Sequence, residues 1–348
     1  MKEVLLIDFS PILYGNVYSV TNAVKEELKK VNGKYPFKKY RNIVIGEILE
    51  EIAYAQFQLS GKGCGKVDEV VIAVDNRDTY WRKEVWAGYK AKRQNQRDES
   101  EIEWNEVFAM QKYLFKIIEK VSNWKIINVE RAEGDDVIFV LSKHLSKKDN
   151  IKRIIIHSSD HDLIQARLFS DKVHYWRTTR TVDIRLSAYQ DSTKEEIYEM
   201  IREHIISGDP IDGFGHIKQF SRFSDDFLEM YPQYKGKEWQ AYKNRYEIQK
   251  RFFEKTGKNA YKHPRFGYKS WKKKKQPLQE ILKENPIYRE NFKMNCKLAL
   301  PKHIPSDLKK EIIERYETTS TNKKDKKFLW KLARQLKTYS LIASSWRF

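Results

Sequence analysis

Four apolar runs, each leading into acidic residues, set the pattern of the first half of this chain. Val4–Ile7 ends at Asp8, and Val67–Val74 ends at Asp75. Trp124–Val129 leads into Glu130-Arg131-Ala132-Glu133-Gly134-Asp135-Asp136. Ile154–Ile156, inside the stretch Arg153–Asp162, runs into Asp160 and Asp162. Short unbroken runs rich in Val and Ile read as strands buried on both faces of a parallel sheet. The segments between them carry helical spacing. Ile43, Ile45, Ile48, Leu49, Ile52, Ala53 and Phe57 predict an amphipathic helix over Lys38–Leu59. Val107, Met110, Leu114, Ile117, Ile118 and Val121 predict another over Val107–Val121, and a third follows Asp136 through Leu145. This alternation predicts an α/β fold with a mostly parallel central sheet flanked by helices.

The remainder is less regular. Thr79–Arg93 alternates bases with aromatics and reads as a helix, while Gln94–Glu103 reads as a polar loop. With the Val107–Val121 helix these form a helical hairpin, against which stands the reading of a solvated charged face. Lys172–Trp176 and Arg180–Arg185 read as a hairpin around Thr178-Thr179. Helices are expected at Lys194–Ile206, Glu238–Glu254, Leu278–Leu282, Pro305–Tyr316 and Lys326–Ser340. No internal repeat is present.

Charge changes the picture. The 348 residues carry a formal net charge of +19, with 20 Tyr and 9 Trp. A basic, aromatic-rich chain suits a nucleic-acid partner, because phosphates attract cations and bases stack on rings. The bias is sharpest at Tyr231–Gln276, where 15 Lys and Arg stand against 3 Glu, ending in Lys272, Lys273, Lys274 and Lys275. Cys64 and Cys296 match no zinc spacing and imply no disulfide framework, as expected of a cytoplasmic protein. No run approaches the ~18 apolar residues of a membrane span.

Within this positive chain the acids at the strand ends need an explanation. Ligands of open α/β sheets bind beyond the carboxyl ends of the strands. One Asp there is ordinary, since Asp caps helices. Asp8, Asp75, Glu133 with Asp136, and Asp160 with Asp162 form a set that capping explains poorly, and Asp209 with Asp212 follow. Glu133 and Asp136, at i and i+3, share a helix face, while Asp135 points elsewhere. His161 reads as a non-ligand. Acids in the first helical turn also suit the helix dipole. An all-oxygen donor set suits Mg²⁺, with Mn²⁺ as a substitute, and disfavours zinc. Two such ions activate a water and stabilise the leaving oxygen of a phosphodiester. Arg82 and Lys90 are placed to stabilise the developing charge. Gly208, Gly213 and Gly215 put backbone amides within reach of a phosphate. An aspartyl phosphatase would need an acid two residues after Asp8, where Ser10 stands. A topoisomerase-type Asp-x-Asp site leaves Asp8 and Asp75 unexplained.

Leu-Ile-Asp8-Phe-Ser, Val-Asp75-Asn, Tyr80-Trp-Arg-Lys with Tyr89-Lys90, Glu133-Gly-Asp-Asp136, Ser-Ser-Asp160-His-Asp162 and Gly208-Asp-Pro-Ile-Asp212-Gly together resemble the flap endonuclease (5′-nuclease, PIN-like) superfamily. Within it they look like the RNase H-type exonucleases of T-even bacteriophages. The resemblance covers most of residues 1–225 and, weakly, 285–348. It implies a metal-dependent nuclease domain at 1–190 with a helical arch at about 79–121. A helical, all-α duplex-binding domain at 191–348 would carry a basic insertion at 231–276. Asp8, Asp75, Glu133, Asp136 and Asp160 match the family's inner metal cluster, and Asp162, Asp209 and Asp212 the second. Arg82 and Lys90 match the residues that meet the scissile phosphate. Lys83, Tyr89, Arg93, the turn Gly208–Lys218 and Lys272–Lys275 fall among the nucleic-acid contacts. Pro210-Ile211 and Gly213-Phe214 depart from the family pattern, where polar residues stand. The implied activity is 5′→3′ exonuclease and flap endonuclease cleavage of duplex DNA and RNA–DNA hybrid with two Mg²⁺, removing RNA primers in lagging-strand replication. The implied partners are branched or nicked duplexes and a replication clamp or single-strand-binding protein. The protein would be a monomer of the host cytoplasm if phage-encoded. The alternative is a non-catalytic branched-nucleic-acid-binding protein on the same scaffold, which loss of several acids would mark.

Overall fold

The apolar runs pair side by side, as their β-branched composition dictates. The computed structural model describes every residue except 60–66, 77–79, 181–184, 190, 263–267, 274–275, 321–324 and 337–348. Strand β1 (Lys2–Asp8) leads into helix α1 (Phe9–Val24), and α2 (Arg41–Gln58) precedes β2 (Glu69–Val74). Short helices α3 (Trp81–Val85) and α4 (Arg93–Asp98) come before α5 (Trp104–Val121), β3 (Lys125–Asn128), α6 (Gly134–Leu145) and β4 (Ile151–Ser158). A 3-10 segment, His161–Phe169, separates β4 from β5 (Val173–Arg180) and β6 (Arg185–Tyr189). Then come α7 (Lys194–Ser207), α8 (Asp225–Met230), α9 (Glu238–Ala241), α10 (Arg245–Thr256) and α11 (Tyr268–Lys273). The last four are α12 (Leu278–Glu284), α13 (Pro286–Ala299), α14 (Ser306–Thr318) and α15 (Lys326–Leu336).

The sheet order is β3-β2-β1-β4-β5-β6, parallel except for β6. Leu5, Ile7, Val70, Ile72, Val74 and Ile155 join the core formed with α1, α2, α5 and α15. The alternate residues Leu6, Val71, Ala73, Ile154 and Ile156 are equally buried, toward the layer of α6 and the 3-10 segment. Burial on both faces is why the strands read as continuous apolar runs. Because these strands are parallel, their carboxyl ends share one edge. Asp8 pairs with Ala73, and Val74 pairs with Asn128.

The chain divides into two units. The first holds residues 1–80, 94–193 and 304–348, and the second holds 81–93 and 194–303. This differs from a division near residue 190. α14 packs on α6 and β3, and α15 packs on α2 and α5, so both belong with the sheet. The expected hairpin arm over 79–93 is broken: α3 has five residues and is followed by turns, and α4 occupies part of the stretch read as a loop. α5 buries Trp104, Val107, Leu114, Ile117 and Ile118 in the core. Thr178 and Thr179 pair with Ser187 and Leu186 inside the β5–β6 ladder rather than forming its turn, and residues 181–184 lie outside the described residues. The sequence pattern also missed α1 and α13. No helix of the described residues is long and apolar enough to cross a membrane.

In the second unit, Asn291 and Asn295 lie one turn apart on α13, exposed by 1% and 0%. The Asn295 amide donates to the carbonyls of Ile205 (2.8 Å) and Gly215 (2.9 Å). Asn291 does the same for Ile217 (2.9 Å) and Gln219 (2.6 Å). These carbonyls belong to the end of α7 and the turn after it, which lack helical partners of their own. Asn295→Ala leaves two of them short of a donor and is expected to cost about 1–3 kcal/mol, read as a lowered midpoint in urea unfolding. An unchanged midpoint would contradict this account.

Candidate metal centre

The acids of the first unit meet where β1, β2 and β4 end. Asp8 closes β1 and is 4% exposed. The Ser158 hydroxyl, at the end of β4, donates to its Oδ2 (2.6 Å). Asp75 follows β2. Its Oδ1 accepts the Gly134 amide (2.7 Å), and its Oδ2 accepts the Ser10 hydroxyl (2.8 Å). Asp75 therefore ties the start of α1 to the start of α6. A Cβ on Gly134 would lie 3.2 Å from Asp75 Oδ1 and 3.3 Å from the Ala73 carbonyl. The missing side chain is what allows this approach.

Glu133 and Asp136 form a reciprocal capping box at the N-terminus of α6, with the Glu133 amide donating to Asp136 Oδ2 (3.0 Å). They are 1% and 0% exposed. The capping explanation weighed from sequence thus holds for one oxygen of each carboxylate. Asp160 follows β4, with its amide held by the Ser158 hydroxyl (2.9 Å). Its Oδ1 accepts the Asp162 amide (2.9 Å), and its carbonyl accepts the Tyr175 hydroxyl (2.7 Å). His161 is exposed.

The electrostatics follow from this crowding. Burial, then the Asp75 charge, push the Asp8 carboxyl up to about 8, with Asp160 adding to the rise and Ser158 opposing it. Burial raises the Tyr175 phenol well above its ordinary value, with Asp160, Asp8 and Asp135 adding to it. Asp135 therefore acts electrostatically on the same edge, although its helix position alone pointed it elsewhere. Ser10, Ser158 and Tyr175 had no signal in the sequence beyond their nearness to the acidic tips.

The remaining candidates lie in the second unit. Asp209 Oδ1 accepts the amides of Ile211 (2.7 Å) and Asp212 (3.2 Å), shaping a turn. Asp212 is neutralised by the chain itself. Arg93 reaches its Oδ1 at 3.0 Å, Lys90 Nζ lies 3.8 Å from the same oxygen, and the Tyr89 hydroxyl donates to Oδ2 (3.1 Å). Asp212, expected as a metal ligand, is thus ion-paired here with Lys90, expected to meet the scissile phosphate, and with Arg93, expected among the nucleic-acid contacts. Arg82 is 5% exposed, and its Nε donates to the Leu298 carbonyl (3.0 Å). Lys83 is exposed.

The glycines of the turn serve backbone packing. A Cβ on Gly208 would lie 2.3 Å from Gly215 carbonyl atoms, and one on Gly213 2.3 Å from the Gly88 carbonyl oxygen. Their φ values are +71° and +86°. A Cβ on Gly215 would meet the Gln219 amide at 2.1 Å. Lys218 pairs with Glu284 (3.6 Å), and Lys272 pairs with Glu199. Lys273 is exposed, while Lys274 and Lys275 lie outside the described residues. In the basic block, Tyr242, Phe252, Tyr261 and Tyr268 are buried, so much of its aromatic content is core rather than a platform for bases.

The family described as "5′-3′ exonuclease, N-terminal resolvase-like domain" matches residues 3–200. The "Ribonuclease H" of Enterobacteria phage T4 is 27% identical over 156 residues, which cover 44% of this chain and 48% of that protein. The match thus spans about half the length of that curated relative. A phage T5 5′-exonuclease with bound zinc ions is 14% identical, with a TM-score of 0.47 over 91% of this chain and 99% of that one. A second phage T5 protein, co-crystallised with metal ions, is 14% identical, with a TM-score of 0.48 over 90% and 99%.

The raised carboxyl of Asp8 gives a pH test. In the unfolded chain an Asp ionises near ~3.9. Between there and about 8 the fold holds a proton that the unfolded chain has released. Stability from this group is therefore full below the lower value and lost as pH rises through the upper one. The metal-free protein should show a Tm that falls across this window, and Asp8→Asn should flatten the fall. An equally steep fall in the variant would remove Asp8 from the account.

Proposed function

The chain belongs to the 5′-3′ exonuclease N-terminal, resolvase-like family, and from that we propose that it is a divalent-metal-dependent 5′-nuclease acting on branched or nicked duplex DNA and RNA–DNA hybrid. The observation that carries the reading is the meeting of Asp8, Asp75 and Asp160 at one sheet edge, where Asp8 resists ionisation. Like-charged carboxylates so placed are stabilised by a cation. The donors are oxygens alone, which fits a hard ion such as Mg²⁺ or Mn²⁺.

Asp8, Asp75 and Asp160 would hold the metal, with Glu133 and Asp136 lining the wall from α6 and Asp162 adjoining Asp160. A pair of such ions, when bound, supplies Lewis acidity and a water of lowered pKa for attack on a phosphodiester. The chain's own part is positioning. Ser10 and the Gly134 amide fix both oxygens of Asp75, and Ser158 fixes Asp8. Tyr175 holds the Asp160 backbone, so the carboxylates keep their aim without reorganising. Asp209 is a candidate for a second ion: its Oδ1 accepts two backbone amides of its own turn, which fixes the carboxylate and leaves Oδ2 for a ligand.

The substrate assignment draws on the name of the phage T4 relative and on the charge of +19. Primer removal in lagging-strand replication is the role that fits both. A replication clamp or single-strand-binding protein is the partner class such a role calls for.

The test is a Mg²⁺-dependent digest of 5′-labelled flap, nicked and RNA-primed duplexes. Asp160→Asn should lower the rate at saturating substrate by about 10²-fold or more, since Lewis-acid stabilisation is worth several kcal/mol. Binding of the same substrates should survive. Full activity in that variant would be fatal to the metal assignment.

A further inference from the structure

Many of the cations that a sequence count offers to a polyanion are already engaged. Lys90 and Arg93 meet Asp212, Lys218 meets Glu284, and Lys272 meets Glu199. Two helices of the first unit are different. On α5, Lys112, Lys116 and Lys120 recur at i, i+4 and i+8 and are exposed. On α15, Lys327, Lys331 and Arg334 recur at i, i+4 and i+7 and are exposed. None of the six forms an ion pair among the described residues.

The two rows belong to one surface. α15 packs on α5, burying Leu332 and Ala333 in the shared core. The Asp325 amide donates to the Lys120 carbonyl (3.0 Å), and Lys120 Nζ stands 5.0 Å from the centre of the Phe328 ring. Each row carries an exposed aromatic: Tyr113 is 45% exposed and Trp330 is 50% exposed. The exposed acids beside the rows are Glu119 on α5 and Asp325 just before α15, whose Oδ1 accepts the Phe328 amide (2.9 Å), while α15 itself contains none. Glu106, at the other end of α5, is paired with Lys38 (3.2 Å). Successive cations in a row are about one helical turn apart, about 4.5–6 Å along the axis.

We propose that this α5–α15 face is a second nucleic-acid contact, gripping the phosphodiester backbone away from the candidate metal centre. It rests on the nuclease reading. α5 ends where β3 begins, at the sheet edge opposite the acidic tips. A strand held there is therefore not the one being cut but a continuation of the same polymer. Cations without carboxylate partners, at even spacing and beside exposed rings, suit phosphate and base together. An acidic protein partner would satisfy the charge but would leave Trp330 and Tyr113 without a specific use.

The experiment measures fluorescence anisotropy of the full-length protein with labelled nicked duplexes of increasing arm length, in Ca²⁺, across a salt series. One variant carries Lys112→Ala, Lys116→Ala and Lys120→Ala. A second carries Lys327→Ala, Lys331→Ala and Arg334→Ala, and a third combines all six. Circular dichroism confirms that each is folded. The proposal expects the slope of log affinity against log salt to shrink by about 0.9 per lost duplex phosphate contact, so by about 3 to 5 in the combined variant. Affinity for long arms should fall at least about tenfold, with the cleavage rate at saturating substrate unchanged. Arg in place of Lys at 112, 116 and 120 should keep the slope. A normal slope in the combined variant overturns this proposal alone. So does an unchanged slope combined with weaker retention on immobilised polyglutamate, which assigns the face to an acidic protein. Wild-type protein that binds none of the duplexes overturns both this proposal and the function above.

Discussion

Repulsion between carboxylates is the constraint on which this structure turns. Sheet order places β1 between β2 and β4, so Asp8 stands between Asp75 and Asp160. The strands cannot slip to separate them. A shift of one residue would turn Leu5 and Ile7 out of one core and Leu6 out of the other. What makes the crowding tolerable is the set of donors around it. Ser158, Ser10 and the Gly134 amide each give a hydrogen bond to one of the acids. α1 and α6 both begin at this edge, and their N-termini carry partial positive charge. These contributions still leave Asp8 hard to ionise. Added positive charge at this edge would favour the ionised form of Asp8.

That deficit stands beside a large surplus elsewhere. A net charge of +19 suggests a molecule coated in available cations, yet several of those nearest the expected binding turn are taken by ion pairs. In the second unit, Asp212 alone gathers Lys90, Arg93 and Tyr89. Arg245 lies among rings, 3.9 Å from the centre of Tyr242 and 4.7 Å from that of Trp86, and burial lowers its pKa. Such residues build the unit rather than advertise it. Phosphate attraction depends on the cations left over, so their placement carries more information than their number.

The same distinction explains what could be read from the sequence. The acidic tips were legible because a parallel sheet sends every carboxyl end to one edge, whatever the strand order. Their convergence followed from the fold class alone. Gly208, Gly213 and Gly215 were not legible in the same way. Glycine marks a close approach but does not say what approaches: here it is backbone at Gly208 and Gly213 and the Gln219 side chain at Gly215. Arg82 and the aromatics of the 231–276 block posed the same ambiguity, because a ring or guanidinium that packs and one that binds have the same composition. α1 escaped notice because its buried face includes Asn16 and Thr21, which break the apolar spacing. Asn16 is satisfied by Glu51 (2.8 Å) and the Ile12 carbonyl (2.9 Å), contacts that no periodicity anticipates.

The division into units also bears on how the acidic wall is kept in place. α6 carries Glu133 and Asp136 on its first turn, and its outer side is covered by α14, from residues far along the chain. Arg131, just before the capping box, meets Asp307 (3.3 Å), and His144 and Lys148, at the other end of the helix, meet Glu317. Exposed pairs of this kind add little stability singly. Together with the burial of Leu308, Ile312 and Tyr316 they fix the lateral position of α6 on the sheet. The position of α6 in turn sets the Gly134 amide against Asp75. The geometry of the acids at residues 8–160 therefore depends on a helix formed from residues 306–318. The sheet and its first helices do not by themselves define the site.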